Sequence, residues 1–132
     1  MTNLLAGVDN SFILENIFGS EDVFKGAEII NIIWKLYDSR MEFEIQTKCK
    51  VINLSDRWKK LDWDYINIII ELFGANKVNL DINQEKFHIS SLNIEEDGSK
   101  YIIKIYSGNK CCIESRFDIA RIHNIKPVCL KK

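Results

Sequence analysis

The sequence carries almost no net charge. Its 18 lysines and arginines stand against 19 aspartates and glutamates, which leaves −1. A basic field that draws in nucleic acid is excluded, and so is a strong acidic field. Histidine is scarce too: His88 and His123 are the only two, each among apolar neighbours in an expected strand. No spacing joins them to a cysteine or carboxylate as metal ligands, or to each other as an acid–base pair. The six glycines are scattered, with no GxGxxG or GxxxxGK to cradle a phosphate. No serine sits in a nucleophile elbow. No cofactor is therefore expected.

Long hydrophobic runs are missing as well. None reaches the roughly 18 residues of a membrane span. Met1–Val8 lacks a basic start and an extended apolar stretch, so no secretory signal is expected. The cysteines are Cys49, Cys111, Cys112 and Cys129, with no C-x-x-C among them. Cys111 and Cys112 are adjacent, and in a strand they point to opposite faces. The expectation is four reduced thiols in a cytoplasmic protein.

What is present is a globular balance. The 132 residues are 46% apolar and 28% charged, which suits one domain over 1–132 with an ordinary core. The stretch Phe24–Tyr37 organises it. From Glu28 on, Ile30, Ile32, Trp34 and Leu36 alternate with Ile29, Asn31, Ile33, Lys35 and Tyr37. Both faces are largely apolar, which predicts a central strand covered on both sides. Before it, Ser11 can cap a short helix with Leu14, Ile17 and Phe18 on one stripe and Gly19 as its stop. After it, Asp38-Ser39-Arg40 reads as a turn. Met41, Phe43, Ile45, Thr47, Cys49 and Val51 then alternate with charged or polar residues, as in a half-exposed strand hairpinned to the first.

Asn53–Asp64 breaks the alternation. It holds Asp56, Trp58, Asp62, Trp63 and Asp64. Tryptophans beside carboxylates fit an interface anchor with a charged rim, and equally a lid on the core. Tyr65–Phe73 is read as a strand because its isoleucines are β-branched and Gly74 follows. Val78, Leu80 and Ile82 make the next. Phe87–Glu95 shifts its apolar phase at Ser90-Ser91, which predicts a bulge. Glu95, Glu96 and Asp97 form an acidic hairpin tip before Gly98, and Tyr101–Ser107 returns. Gly108-Asn109 opens a looser segment through Ser115. Phe117–Ile125 is the last strand, ended by the single proline, Pro127. The fold class that follows is α+β and mainly β: six or seven largely antiparallel strands in a curved or two-layer sheet, with a short N-terminal helix.

Several short segments carry a resemblance. Asn16-Ile17-Phe18-Gly19 is followed after a spacer by Phe24-x-x-Ala27-Glu28-Ile29. Further on come Leu72-Phe73-Gly74 with Val78-x-Leu80, then Tyr106-x-Gly108 and Phe117-Asp118-Ile119-Ala120-Arg121-Ile122. Together they resemble the immunity protein 50 family, small bacterial proteins encoded beside polymorphic or contact-dependent toxins. Phe24, Ala27 and Glu28 are the residues that match the family's opening motif. Lys25 and Gly26 stand where the family favours His-Asp. The resemblance implies a cytoplasmic antitoxin, without catalysis, that binds the C-terminal toxin domain of a cognate effector and occludes it. If that toxin is a basic nuclease, Asp56, Trp58, Asp62, Trp63, Asp64, Glu95, Glu96 and Asp97 are the contact candidates. Two other readings stay open: a small β-rich enzyme or ligand-binding domain using His88 and His123, and a subunit that assembles through an exposed sheet edge.

Overall fold

A computed structural model of the protein describes residues 8–9, 23–48, 65–83 and 86–128. Ten strands occur among these residues, in two sheets. They are β1 (Val8–Asp9), β2 (Glu28–Lys35), β3 (Arg40–Thr47), β4 (Tyr65–Phe73), β5 (Asn76–Leu80), β6 (Phe87–His88), β7 (Ser91–Asp97), β8 (Lys100–Ser107), β9 (Lys110–Phe117) and β10 (Ile119–Val128). The larger sheet runs β1-β10-β4-β3-β2-β6 and the smaller β5-β9-β8-β7. All pairings are antiparallel except β1 with β10. The mainly antiparallel, two-layer expectation holds, but the strand count is higher. The expected helix at Ser11–Gly19 and the Asn53–Asp64 segment lie outside the described residues.

One apolar cluster joins the two sheets. The larger contributes Met41, Phe43, Ile45, Ile66, Ile68, Ile70, Leu72, Ala120 and Ile122; the smaller contributes Leu92, Ile103, Ile105, Ile113 and Phe117. Phe43 and Phe117 are among the largest side chains fully removed from water. Truncating either to alanine costs about 3–5 kcal/mol by lost transfer energy and cavity formation. The alternation expected for β3 is borne out: Met41, Phe43, Ile45 and Thr47 are buried while Glu42, Glu44 and Gln46 are partly exposed. The Thr47 hydroxyl also satisfies itself internally, donating to the Val23 carbonyl at 3.0 Å.

The centre of the larger sheet is β4, not β2. Eight of its residues pair with β3, and all nine pair with β10. β2 has a long partner only in β3, because β6 covers just Glu28 and Ile29 on its other side. A bulge at Ile30 resets its phase, so Ile29, Ile32 and Trp34 share the inner face, opposite Ile45, Phe43 and Met41. The strand then stops at Lys35, before the expected Tyr37. A 3-10 turn spans Leu36–Asp38, and Ser39 adopts φ 53°.

The other departures share one cause, which is that the chain changes sheets at corners. The phase shift at Ser90-Ser91 is such a crossing rather than a bulge: β6 lies in the larger sheet and β7 in the smaller, so Ile89 and Leu92 both reach the core. The expected Phe117–Ile125 strand is likewise cut at Asp118, with β9 on one side and β10 on the other. The segment from Gly108 to Ser115 is a tight hairpin followed by a regular strand. A register shift near Cys112 buries Cys112 and Ile113 together and erases the alternation. Pro127 lies inside β10, paired with Ile66. A proline is tolerated there because, among the described residues, nothing pairs with that stretch from the other side.

One corner is tightly built. The Asp118 N–H donates to the Phe73 carbonyl at 2.8 Å, and its carboxylate pairs with Lys100. Gly74 beside it has φ +73°, and a Cβ there would meet Asp118 Oδ2 at 2.2 Å. Gly74→Ala combines that overlap with an unfavourable positive φ, for an expected loss of about 1–3 kcal/mol. Equilibrium urea unfolding of the variant checks it: the midpoint falls with an unchanged slope.

Candidate partner-binding surface

The outward face of the larger sheet holds most of its charge. Along β4 the outward positions are Asn67, Ile69, Glu71 and Phe73, flanked by Arg40, Glu42, Glu44 and Gln46 on β3 and by Arg121 and Lys126 on β10. Glu71 is the unusual one, because it is a charged side chain that is only 2% exposed, on a face where Asn67 is buried as well. Arg121 Nη2 donates to its Oε1 at 2.9 Å, and His123 Nδ1 lies 3.0 Å from the same oxygen. Arg40 Nη1 stands 3.6 Å from Oε2 while its Nη2 donates to Asp38 at 3.1 Å. A bulge at His123 is what turns the imidazole onto this face. Both guanidinium groups lie over the Phe73 ring, at 5.3 Å for Arg121 and 5.8 Å for Arg40. The aromatic face holds the two cations in place around the carboxylate.

Burial alone would raise the pKa of Glu71. The bond from Arg121 and the nearby charges of His123, Arg121 and Arg40 outweigh it and hold the carboxyl below its ordinary value of 4.5. A buried carboxylate with several donors strongly requires them, since removing one side strands the other.

Beside this cluster the face is acidic. Glu42 and Glu44, with Asn31, Ile33 and Ile69, line a shallow depression of about 130 Å³. Asn67 donates to Glu44 at 2.9 Å and accepts from Gln46 at 3.1 Å. Lys35 is 3.9 Å from Glu42, a long contact. The floor is apolar and the rim carries two carboxylates, a combination that suits a cationic side chain with an aliphatic stem.

The sequence candidates fall elsewhere. Asp56, Trp58, Asp62, Trp63 and Asp64 lie outside the described residues. Glu95, Glu96 and Asp97 are the end of β7 rather than a turn; the loop itself is Gly98-Ser99. Lys104 lies 3.3 Å from Glu95, and Arg116 3.5 Å from Asp97, so these two carboxylates are largely neutralised by the neighbouring strands. Phe24 and Ala27 are buried, which gives them a packing role. Between them Lys25 and Gly26 form a turn closed by the Ala27 N–H on the Phe24 carbonyl at 3.0 Å, with Gly26 at φ +82°. Positive φ at that position suits glycine without strain. Glu28 sits between Gln46 on β3 and His88 on β6.

His88 and His123 do not converge. They lie on β6 and β10, four strand spacings apart, or roughly 19 Å. Among the described residues no group of three or more His, Cys, Asp or Glu is placed to hold a metal ion, and no helix is long and apolar enough to cross a membrane.

The family model for immunity protein 50 matches residues 10–128. The chain belongs to that family. No curated protein and no solved structure matches it. Two segments that carry the immunity protein 50 resemblance in sequence, Leu72-Phe73-Gly74 and Phe117–Ile122, meet in space at the Gly74–Asp118 corner. The charged cluster that flanks this corner in the immunity protein was not singled out from sequence. The available signal was Glu71 itself, a lone carboxylate in the apolar run Tyr65–Phe73, which demands a counter-charge.

The cluster has a pH signature. Its carboxyl titrates lower in the folded than in the unfolded chain, so its stabilisation is complete above the ordinary carboxylate range and is lost as pH falls through the folded value. Glu71→Gln is expected to cost about 1–3 kcal/mol at neutral pH, the partly exposed arginines tempering the loss. The gap between wild type and variant should narrow as pH falls below the ordinary carboxyl value of 4.5 and close once the folded carboxyl is protonated, as read by denaturant unfolding at several pH values.

Proposed function

We propose that this immunity protein is the antitoxin of a polymorphic or contact-dependent growth inhibition effector. It acts in the cytoplasm by binding the effector's C-terminal toxin domain and covering its active site or substrate surface. The observation that carries this reading is the family match over residues 10–128. The geometry supports it: among the described residues, the sheet faces present both charge and apolar surface. Occlusion needs no turnover. It needs a surface whose local charges steer and select one partner.

Two contact regions fit a basic toxin such as a nuclease. One is the depression rimmed by Glu42 and Glu44. The other comprises the acidic and aromatic residues Asp56, Trp58, Asp62, Trp63 and Asp64, with Glu95, Glu96 and Asp97 as a lesser site because Glu95 and Asp97 are already paired with Lys104 and Arg116. The near-zero total charge makes the exposed, poorly countered carboxylates the ones able to steer.

The experiment is co-expression with the toxin domain encoded beside this gene. Cells should survive only when both are made, and the two proteins should co-purify one to one. Glu42→Lys combined with Glu44→Lys should slow association by about tenfold or more at low salt, measured by surface plasmon resonance. Toxicity that persists despite soluble protein, with no complex formed, would overturn the reading.

A further inference from the structure

Exposed apolar surface is concentrated in one place. Eight large hydrophobic residues are exposed among the described residues, and five lie within Ile30–Tyr37: Ile30 at 42%, Ile33 at 39%, Trp34 at 42%, Leu36 at 71% and Tyr37 at 85%. The same stretch is a free sheet edge. β6 closes the side of β2 only at Glu28 and Ile29, and among the described residues no strand pairs with Ile30–Lys35 on that side. Soluble monomers blunt such edges with charge, proline or cover. Here the one lysine, Lys35, is already turned toward Glu42, and the edge between Ile30 and Trp34 carries no charge.

We propose that this edge pairs antiparallel with the same edge of a second copy, forming a two-fold dimer with one continuous sheet. The sequence of the edge is self-complementary in one register. With Ile33 opposite Ile33 on the axis, Trp34 meets Ile32 of the other copy, Leu36 meets Ile30, and Lys35 meets Asn31. Opposed residues share a face, as antiparallel pairing requires, because Ile32 and Trp34 point inward while Asn31, Ile33 and Lys35 point outward. The length also fits. The 3-10 turn ends the strand at Lys35, before the positions Tyr37 and Asp38 that would face the other copy's Ile29 and Glu28, where β6 closes the edge.

Charge supports the same occupant. Asn31 forms part of the rim of the acidic depression, and Glu44 lies directly across from it on β3. Lys35 of the second copy, set opposite Asn31, would exchange its long 3.9 Å contact with its own Glu42 for this Glu44 carboxylate, with its stem along Ile33. Each depression is then served by the other copy's lysine, and no like charges are apposed. An isologous contact of this kind closes at two copies.

The test is the mass of the purified full-length protein across a concentration series, by light scattering after gel filtration and by sedimentation equilibrium. Twice the chain mass is expected. Trp34→Glu should weaken the dimer at least tenfold, by burying a charge against Ile32. Lys35→Glu, at a partly exposed site and with folding checked by circular dichroism, should weaken it measurably, and adding Glu44→Lys should restore it. A monomer at all concentrations overturns the proposal and leaves the edge free for the toxin. A dimer insensitive to both Trp34→Glu and Lys35→Glu overturns it equally, by placing the contact elsewhere. Toxin binding is read separately, by survival and complex formation in the co-expression experiment, whatever the oligomeric state.

Discussion

The larger sheet depends on β4 being hydrogen-bonded along both sides. Every residue from Tyr65 to Phe73 pairs with β10, and Ile66–Phe73 pair with β3 as well. The inward isoleucines of β4 are buried in the core between the sheets. The outward face is harder to cover, because it carries Asn67 and Glu71. The sheet answers with side chains from the adjoining strands: Gln46 and Glu44 bond Asn67, while Arg40, Arg121 and His123 surround Glu71. A polar group deep in a sheet is tolerable only when its partners are fixed by the same register that buries it. Pairing and charge satisfaction are therefore one constraint here, and a slip by one residue would lose both.

Much of this was legible in the residues. β3 announced itself by strict alternation, and the Gly98 hairpin by its turn chemistry, because those signals are local. The status of β2 was not legible. Two apolar faces read as a central strand, yet the bulge at Ile30 and the brevity of β6 leave it nearly at the margin. Neighbour strands are long-range facts that periodicity does not contain. The sheet crossings at Ile89-Ser90 and at Asp118 were misread for a related reason. A change of layer and a bulge shift the apolar phase in the same way, and only the partner strand tells them apart.

The contact candidates from the sequence and those from the structure are both acidic, but they lie in different places. Acidic residues beside aromatics were sought in polar, loop-like stretches, where surface contacts commonly lie. The described residues instead put a cation–carboxylate cluster and an acidic depression on regular strands. Arg40, Glu71 and Arg121 are far apart in sequence and mean nothing singly. They become a unit because β3 and β10 sit on either side of β4. Glu95 and Asp97 illustrate the converse, since their carboxylates look free along the chain but face Lys104 and Arg116 across the sheet.

The two lateral margins of the larger sheet are not alike. At β10 the chain inserts His123 as an extra residue and then places Pro127, whose nitrogen has no hydrogen to offer. A margin so interrupted is a poor template for another backbone. Among the described residues, growth of the larger sheet is thus disfavoured along the stretch of β10 that β1 leaves uncovered. Of the larger sheet's two sides, the one at β2 is the better placed to accept another backbone, and the one at β10 to end it.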